Sequence, residues 1–187
     1  MSSNTALVLE TNAPLLFRAL PENTAPLANR GWQANNLRVF QACSVLDDRP
    51  PADRGEVDAT VALELRRLDV KLTLLLELVG EWLASSQGSG PQRVDVEVDF
   101  RGVRWTPAES SLAAGMRGSL DLYIHPSVPR PLKFGGKIVA IETATRAARF
   151  EFDPLSELEG DQLERLIFRH HRRKVADARG IRGSSSY

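Results

Sequence analysis

Three histidines, one cysteine and an alternating run of carboxylates are the side chains in this sequence that could do chemistry. His125 stands alone before Pro126 and reads as a strand-end residue. His170 and His171 are adjacent, and neighbouring side chains on a helix point about a hundred degrees apart, so the two cannot share a metal ion. Cys43 has no CxxC partner and no nearby histidine, which suits a small core residue better than a nucleophile. Asp95, Glu97 and Asp99 could gather a cation, but the same alternation describes the wet face of a strand. The expectation is therefore no catalytic residue, no metal and no cofactor: the chain does not read as an enzyme. The basic run Arg165, Arg169, Arg172, Arg173 and Lys174 has two readings, a phosphate-binding patch or cations complementing the dipole of a helix C-terminus. Lys plus Arg balance Asp plus Glu at 24 each, which favours the second and argues against nucleic acid as a partner.

The 187 residues suffice for one domain with a real core and an appendage. A lone cysteine forms no intramolecular disulfide, and MSSNTALVLETN lacks the basic-then-apolar pattern of a signal peptide. The most apolar stretch is interrupted by Arg66, Arg67, Asp69, Lys71, Glu77 and Glu81, so no membrane insertion is expected and the location reads as cytoplasmic.

That stretch, Val57 to Ala84, must position everything else. Val61, Leu65, Leu68, Leu72, Leu75, Val79 and Trp82 follow at alternating steps of four and three, a heptad stripe of roughly three heptads. Leu63, Val70, Leu74, Leu76, Leu78 and Leu83 lie off the stripe, so the helix is apolar on nearly two faces. One face is expected to pack within the chain and the other against a copy of itself. Leucine at both a and d, with extra apolar residues beside them, favours a tetramer over a dimer. Asp58 is placed to cap the helix start, and SSQGSGP ends it.

Around this segment the pattern changes. Ala6–Glu10 and Leu15–Leu20 are short apolar runs readable as strands, separated by Asn12 and Pro14. From Ala25 to Asp47 the spacing of Leu37, Phe40 and Ser44 or Val45 predicts helix, with Asn35 or Asn36 capping its second half. Val94, Val96, Val98 and Phe100 alternate with acids and predict a half-buried strand. VRW, Met116–His125, Leu132–Glu142 (bulged or bent at Gly135-Gly136) and ARFEFD complete about five strands, few for a closed barrel, so the N-terminal runs are expected to supply the missing one. Leu158, Leu163, Leu166, Ile167 and His170 mark the inner side of a last helix, and order is expected to end near Arg179. The division that follows is 1–24 joining the barrel, 25–91 a helical oligomerisation region, 92–180 barrel and final helix, and 181–187 a disordered tail.

The series FRGVRW, AAGMRGSLDLYIHPSVPRPLKFGGKIV, ARFEFD and QLERLIFRHHRR resembles the PilZ domain, in particular its atypical bacterial branch with a heptad-bearing helical segment. The resemblance implies an α+β fold: a six-stranded PilZ-type β-barrel with a C-terminal helix and a long heptad-bearing helical insertion. It also implies a tetramer through the heptad helices, and a non-catalytic role in cyclic di-GMP signalling to motility, pili, biofilm or virulence machinery.

The family's ligand motifs are RxxxR in the loop entering the barrel and (D/N)xSxxG on the next strand. Here Arg93 is the only arginine of SSQGSGPQR, and the RxxxR at Arg169–Arg173 lies on the last helix. With Gly102 as the motif glycine, Glu97 stands for Asp or Asn and Asp99 for Ser; the alternative Glu109, Ser111 and Gly115 has one residue too many. Losing charge-assisted bonds at about 1.5–3 kcal/mol each carries a micromolar ligand past millimolar. The expectation is a degenerate dinucleotide site, with Arg93, Arg101 and Arg104 the remaining candidates for a weaker contact, and an adaptor role towards a protein partner that the sequence does not name. The alternative is a direct cyclic di-GMP receptor using the oligomer interface or the basic last helix.

Overall fold

The computed structural model describes residues 7–21, 31–47, 90–107 and 112–183 (backbone alone over 177–183), together with individual helical residues between 61 and 79. Six strands, β1 (Leu9–Ala19), β2 (Gln92–Val98), β3 (Gly102–Trp105), β4 (Arg117–Leu122), β5 (Leu132–Ile141) and β6 (Ala148–Phe152), close into a barrel in the order β1-β2-β3-β6-β5-β4. Every neighbouring pair is antiparallel. Helix α1 (Trp32–Asp47) and helix α2 (Glu157–Gly183) pack on each other and on the outside of the barrel.

The strand missing from the count of five is β1, and it is one strand where the sequence suggests two short runs. Its first half pairs with β2 and its second half, from Leu15, with β4, so a single extended segment closes the barrel. Pro14 is tolerated at the handover. Its carbonyl accepts from the Tyr123 N–H at 3.0 Å, so its missing N–H faces the end of the β4 ladder and only one bond is lost.

Leu9, Val96, Val98, Val103, Leu120, Leu132, Ile138 and Phe150 point inward and are at most 2% exposed. An aromatic chain runs through this interior: Trp105 to Phe17, Phe17 to Phe150, Phe150 to Phe152 and Phe152 stacked on Phe134 at 4.2 Å. The expected bend at Gly135-Gly136 is absent. The bulge lies instead between Ile138 and Ala140, leaving Val139 outside the register. Gly136 has a different purpose: a Cβ there would lie 2.0 Å from the Glu151 carbonyl oxygen. Gly102 is the same case, 1.9 Å from the Phe150 carbonyl oxygen, so both glycines let β6 approach closely.

The inner face of α1 is Asn36, Val39, Phe40 and Cys43, in place of the expected Leu37, Phe40 and Ser44 or Val45. Asn36 is no cap. Its amide donates to the Lys133 carbonyl at 2.9 Å and accepts from the Lys133 N–H at 2.9 Å, imitating a strand partner for β5. It also donates to the buried Glu159 carboxylate at 3.0 Å. Glu159 in turn closes a capping box on Ser156, whose hydroxyl donates to it at 2.8 Å and accepts the Glu159 N–H at 3.3 Å. This ties the phase of α2: Glu159 takes the inner position with Leu163, Leu166 and Ile167, and Leu158 is turned outward, 50% exposed. Helix α2 runs on to Gly183, past the expected loss of order at Arg179.

Candidate functional site

The outer face of β2 and β3 carries Arg93 and Arg104, and the turn between these strands carries Arg101, the three residues that the sequence marks as ligand candidates. Inward residues of β2 are even-numbered, so Arg93, Asp95 and Glu97 face out. Register then sets Glu10, Glu97, Arg104 and Arg149 in one row across four strands. Glu10 and Glu97 stand directly opposite, a repulsive arrangement unless each finds a cation. Glu10 finds Lys174 of α2, which holds its carboxyl below the ordinary carboxylate value. Glu97 finds Arg104 at 2.9 Å, and the same guanidinium reaches Glu142 at 2.7 Å. Bonds from Thr145 and Arg104 hold the Glu142 carboxyl low, and the Arg104 guanidinium is raised in return, chiefly by Glu142.

Asp99 is bound more firmly still. Its carboxylate accepts the N–H groups of Arg101 and Gly102 at 2.8 and 2.9 Å, fixing the β2–β3 turn. Arg149 Nη2 donates to both carboxylate oxygens, at 2.8 Å each. β2 therefore ends at Val98, and Phe100 is not the fourth inward residue of the alternation but a turn residue, 53% exposed. Asp95 accepts from Asn12 at 2.7 Å. The expected solvated acidic face is thus a set of pairs across strands.

The three candidate arginines do not converge. Arg93 lies near the start of β2 and donates to the Asn12 carbonyl at 3.3 Å. Arg101 sits beyond the other end, roughly 17 Å of strand away, with its guanidinium 5.1 Å from the Phe100 ring centroid. Arg104 is held between two carboxylates. A shallow pocket of about 330 Å³ on this face is lined by Glu10, Asp95, Glu97, Arg104 and Trp105 among others. The cation in that lining, Arg104, is already held by Glu97 and Glu142, so a phosphate would have to displace a carboxylate to reach it.

The basic run on α2 is largely engaged within the chain. Arg169 donates to Ser44, Arg173 pairs with Asp47 at 2.9 Å and Lys174 with Glu10, so these cations clamp α2 to α1 and β1. The Nε and Nη2 of Arg169 have no acceptor among the described residues, but both are closed off from solvent and from any phosphate in it. Cys43 is 1% exposed, and burial pushes its thiol up to about 11, far from a reactive thiolate. His125 accepts the Ser127 N–H on Nδ1 at 3.1 Å, and burial lowers its pKa, so it is a neutral loop residue. His170 bonds the Glu10 carbonyl at 3.1 Å.

Along the heptad stripe, Val61, Leu65, Leu68, Leu72, Leu75 and Val79 are helical and exposed, as are Val70, Leu74 and Leu78 off it. None of these nine side chains is covered within the chain; Ala62, Arg66, Asp69, Thr73 and Glu77 lie outside the described residues, and so does the expectation that one face packs within the chain. Trp82, Leu63, Leu76, Leu83, the cap Asp58, Glu109, Ser111 and residues 184–187 lie outside the described residues. Among the described residues, no helix is long and apolar enough to cross a membrane. The residues that sequence reasoning missed are Arg149, read only as part of an alternating strand, and Phe100, assigned to the core by its parity.

The comparisons bear on this geometry. No curated protein matches the chain. Among solved structures, the fold is similar to that of a pathogenic protein from Xanthomonas campestris, a tetrameric PilZ domain self-assembled via a helical bundle. The TM-score is 0.62 and the identity 24%, over 92% of each chain. The family "atypical PilZ domain, cyclic di-GMP receptor" matches residues 40–180, which takes in the exposed helical residues, the barrel strands β2 to β6 and nearly all of α2. The chain belongs to the atypical PilZ domain family.

Proposed function

We propose that this chain is a non-catalytic, cytoplasmic PilZ regulator that assembles through its central helical segment and acts as an adaptor in cyclic di-GMP-linked signalling, without holding the dinucleotide at the family's usual site. The observation that carries the reading is the exposure of nine large aliphatic residues between Val61 and Val79, each 46–60% exposed. Burying each contributes about 1.5–3 kcal/mol, more than an isolated chain leaves in water without a partner. The Xanthomonas campestris protein, self-assembled via a helical bundle, supplies the precedent, and the apolar residues beside the seam, more than the heptad itself, support four copies. The interface is then Val61, Leu65, Leu68, Leu72, Leu75, Val79 and Trp82. The site half of the reading is supported by Glu97 and Asp99, which already hold Arg104 and Arg149 where the family motif meets its ligand.

Light scattering tests the assembly: four times the chain mass at tens of micromolar is expected, and a monomer contradicts the reading. Calorimetric titration with cyclic di-GMP tests the site, with no saturable heat expected below about 1 mM. Micromolar binding abolished by Arg93→Ala, Arg101→Ala or Arg104→Ala would sink the degenerate-site claim. Binding lost instead in Arg169→Ala/Arg173→Ala would move the ligand to α2, at the expense of the bonds to Ser44 and Asp47.

A further inference from the structure

We propose that the groove between the β2–β3 turn and the first two turns of α2 docks an extended, lysine- or arginine-bearing segment of a protein partner, with an apolar side chain of that segment seated on Phe100. The groove encloses about 460 Å³. One wall is the turn carrying Phe100. The opposite wall is Glu157, Gly160 and Glu164, spaced i, i+3 and i+7 and so on one face of α2. Glu151, at the end of β6, lines it too.

Three features single out this groove and its occupant. The first is charge. Glu151, Glu157 and Glu164 are exposed and form no ion pair or hydrogen bond among the described residues, whereas both oxygens of Asp153 accept from Arg117 Nη2. The one cation lining the groove, Arg101, is stacked on Phe100. The excess negative charge disfavours phosphates and complements ammonium or guanidinium groups. The second is a half-exposed aromatic on a rigid mount. The Asp99 bonds and the Phe152 N–H donating to the Arg101 carbonyl at 2.9 Å hold the turn before any partner arrives. An aromatic anchor that needs no ordering is what interface hot spots use. The third is Gly160. A helix-interior glycine destabilises relative to alanine, yet a Cβ there would meet nothing within 4 Å, so packing inside the chain gives no reason for it. An incoming backbone that passes close to α2 does.

The proposal goes beyond the assembly reading and stands without it. Fluorescence anisotropy of the full-length chain tests it, with a fluorescein-labelled seven-residue peptide of alternating lysine and leucine as the probe. Saturable binding below about 1 mM is expected, with none for the same peptide carrying glutamate in place of lysine. Phe100→Ala and the pair Glu157→Gln/Glu164→Gln should each weaken binding about tenfold. Gly160→Ala should weaken it while raising the melting temperature by about 2–4 °C, which separates lost docking from lost folding. Mass by light scattering should stay unchanged in all these variants, so a failure here is distinct from a failure of assembly. Absence of saturable binding, or equal binding by the wild type, Phe100→Ala and Gly160→Ala, overturns the proposal, the latter by reducing it to diffuse charge attraction.

Discussion

The outer face of the barrel and the central helical segment manage their side chains in opposite ways. Across the row from β2 through β3 to Arg149 of β6, short of Glu151 at the strand's end, the charged residues meet partners inside the chain: Glu97 and Glu142 meet Arg104, and Asp99 meets Arg149. Between residues 61 and 79 the large aliphatic residues described meet none, and stand exposed as Leu65, Leu72 and Leu78 do. A surface whose charges are already paired offers little to a small charged ligand, because binding must first break what is there. A surface of unpaired aliphatics gains from any apolar cover. Under the readings proposed above, recognition in this molecule belongs to assembly and docking faces and not to the motif positions of its family.

The largest expected effect tests the helical side of that contrast. Leu68→Asp/Leu75→Asp puts two charges per chain into the proposed seam and should dissociate the assembly entirely at tens of micromolar, with the barrel's circular dichroism unchanged. Unfolding together with dissociation would show that the two regions depend on each other. On the barrel side, Gly102→Ala drives a Cβ into the Phe150 carbonyl oxygen and should destabilise by about 3 kcal/mol in chemical denaturation. A neutral result would return that glycine to the role of a ligand-motif residue. Asn36→Leu leaves the Lys133 backbone and the Glu159 carboxylate short of partners and should lose about 2–4 kcal/mol, by detaching α1 from β5.

The smallest effect is electrostatic. The folded-state pKa values of Glu142 and Glu10 lie below the ordinary 4.5, so their contribution is present above that value and is lost as the pH falls through the lower folded one. Stability should therefore decline on acidification through this range, and Glu142→Gln should flatten the decline. Both groups are on the surface and screened by solvent, so the change in slope will be slight, and an unchanged slope would remove Glu142 from the balance of that face.

Some of this was legible from residue order and some was not. The alternation of Val96 and Val98 with acids announced a half-buried strand, and a count of strands called for one more from the N-terminus. Phe100 continued the same parity and was misplaced, because the carboxylate of Asp99 binds two backbone N–H groups and ends the strand first. Asn36 resembled a helix cap because asparagine commonly is one; its actual partner, Lys133, is distant in the chain and was invisible to local pattern. Leu158 passes for an inner residue by its apolar character, but nine positions before Ile167 it lies about 180° round the helix from it, on the face opposite the one that Glu159 turns towards Asn36.

Periodicity by itself determined the element types and the heptad stripe, and the family resemblance exposed the shortage of arginines at the motif positions, since each depends only on residues close in sequence. Tertiary structure alone decided which charges meet. Arg149 and Asp99 stand fifty positions apart, and the row from Glu10 to Arg149 exists only because the register of four strands sets those residues side by side. It decided too that none of the described heptad residues is covered within the chain, because burial depends on what lies opposite a side chain, and the stripe carries no record of that.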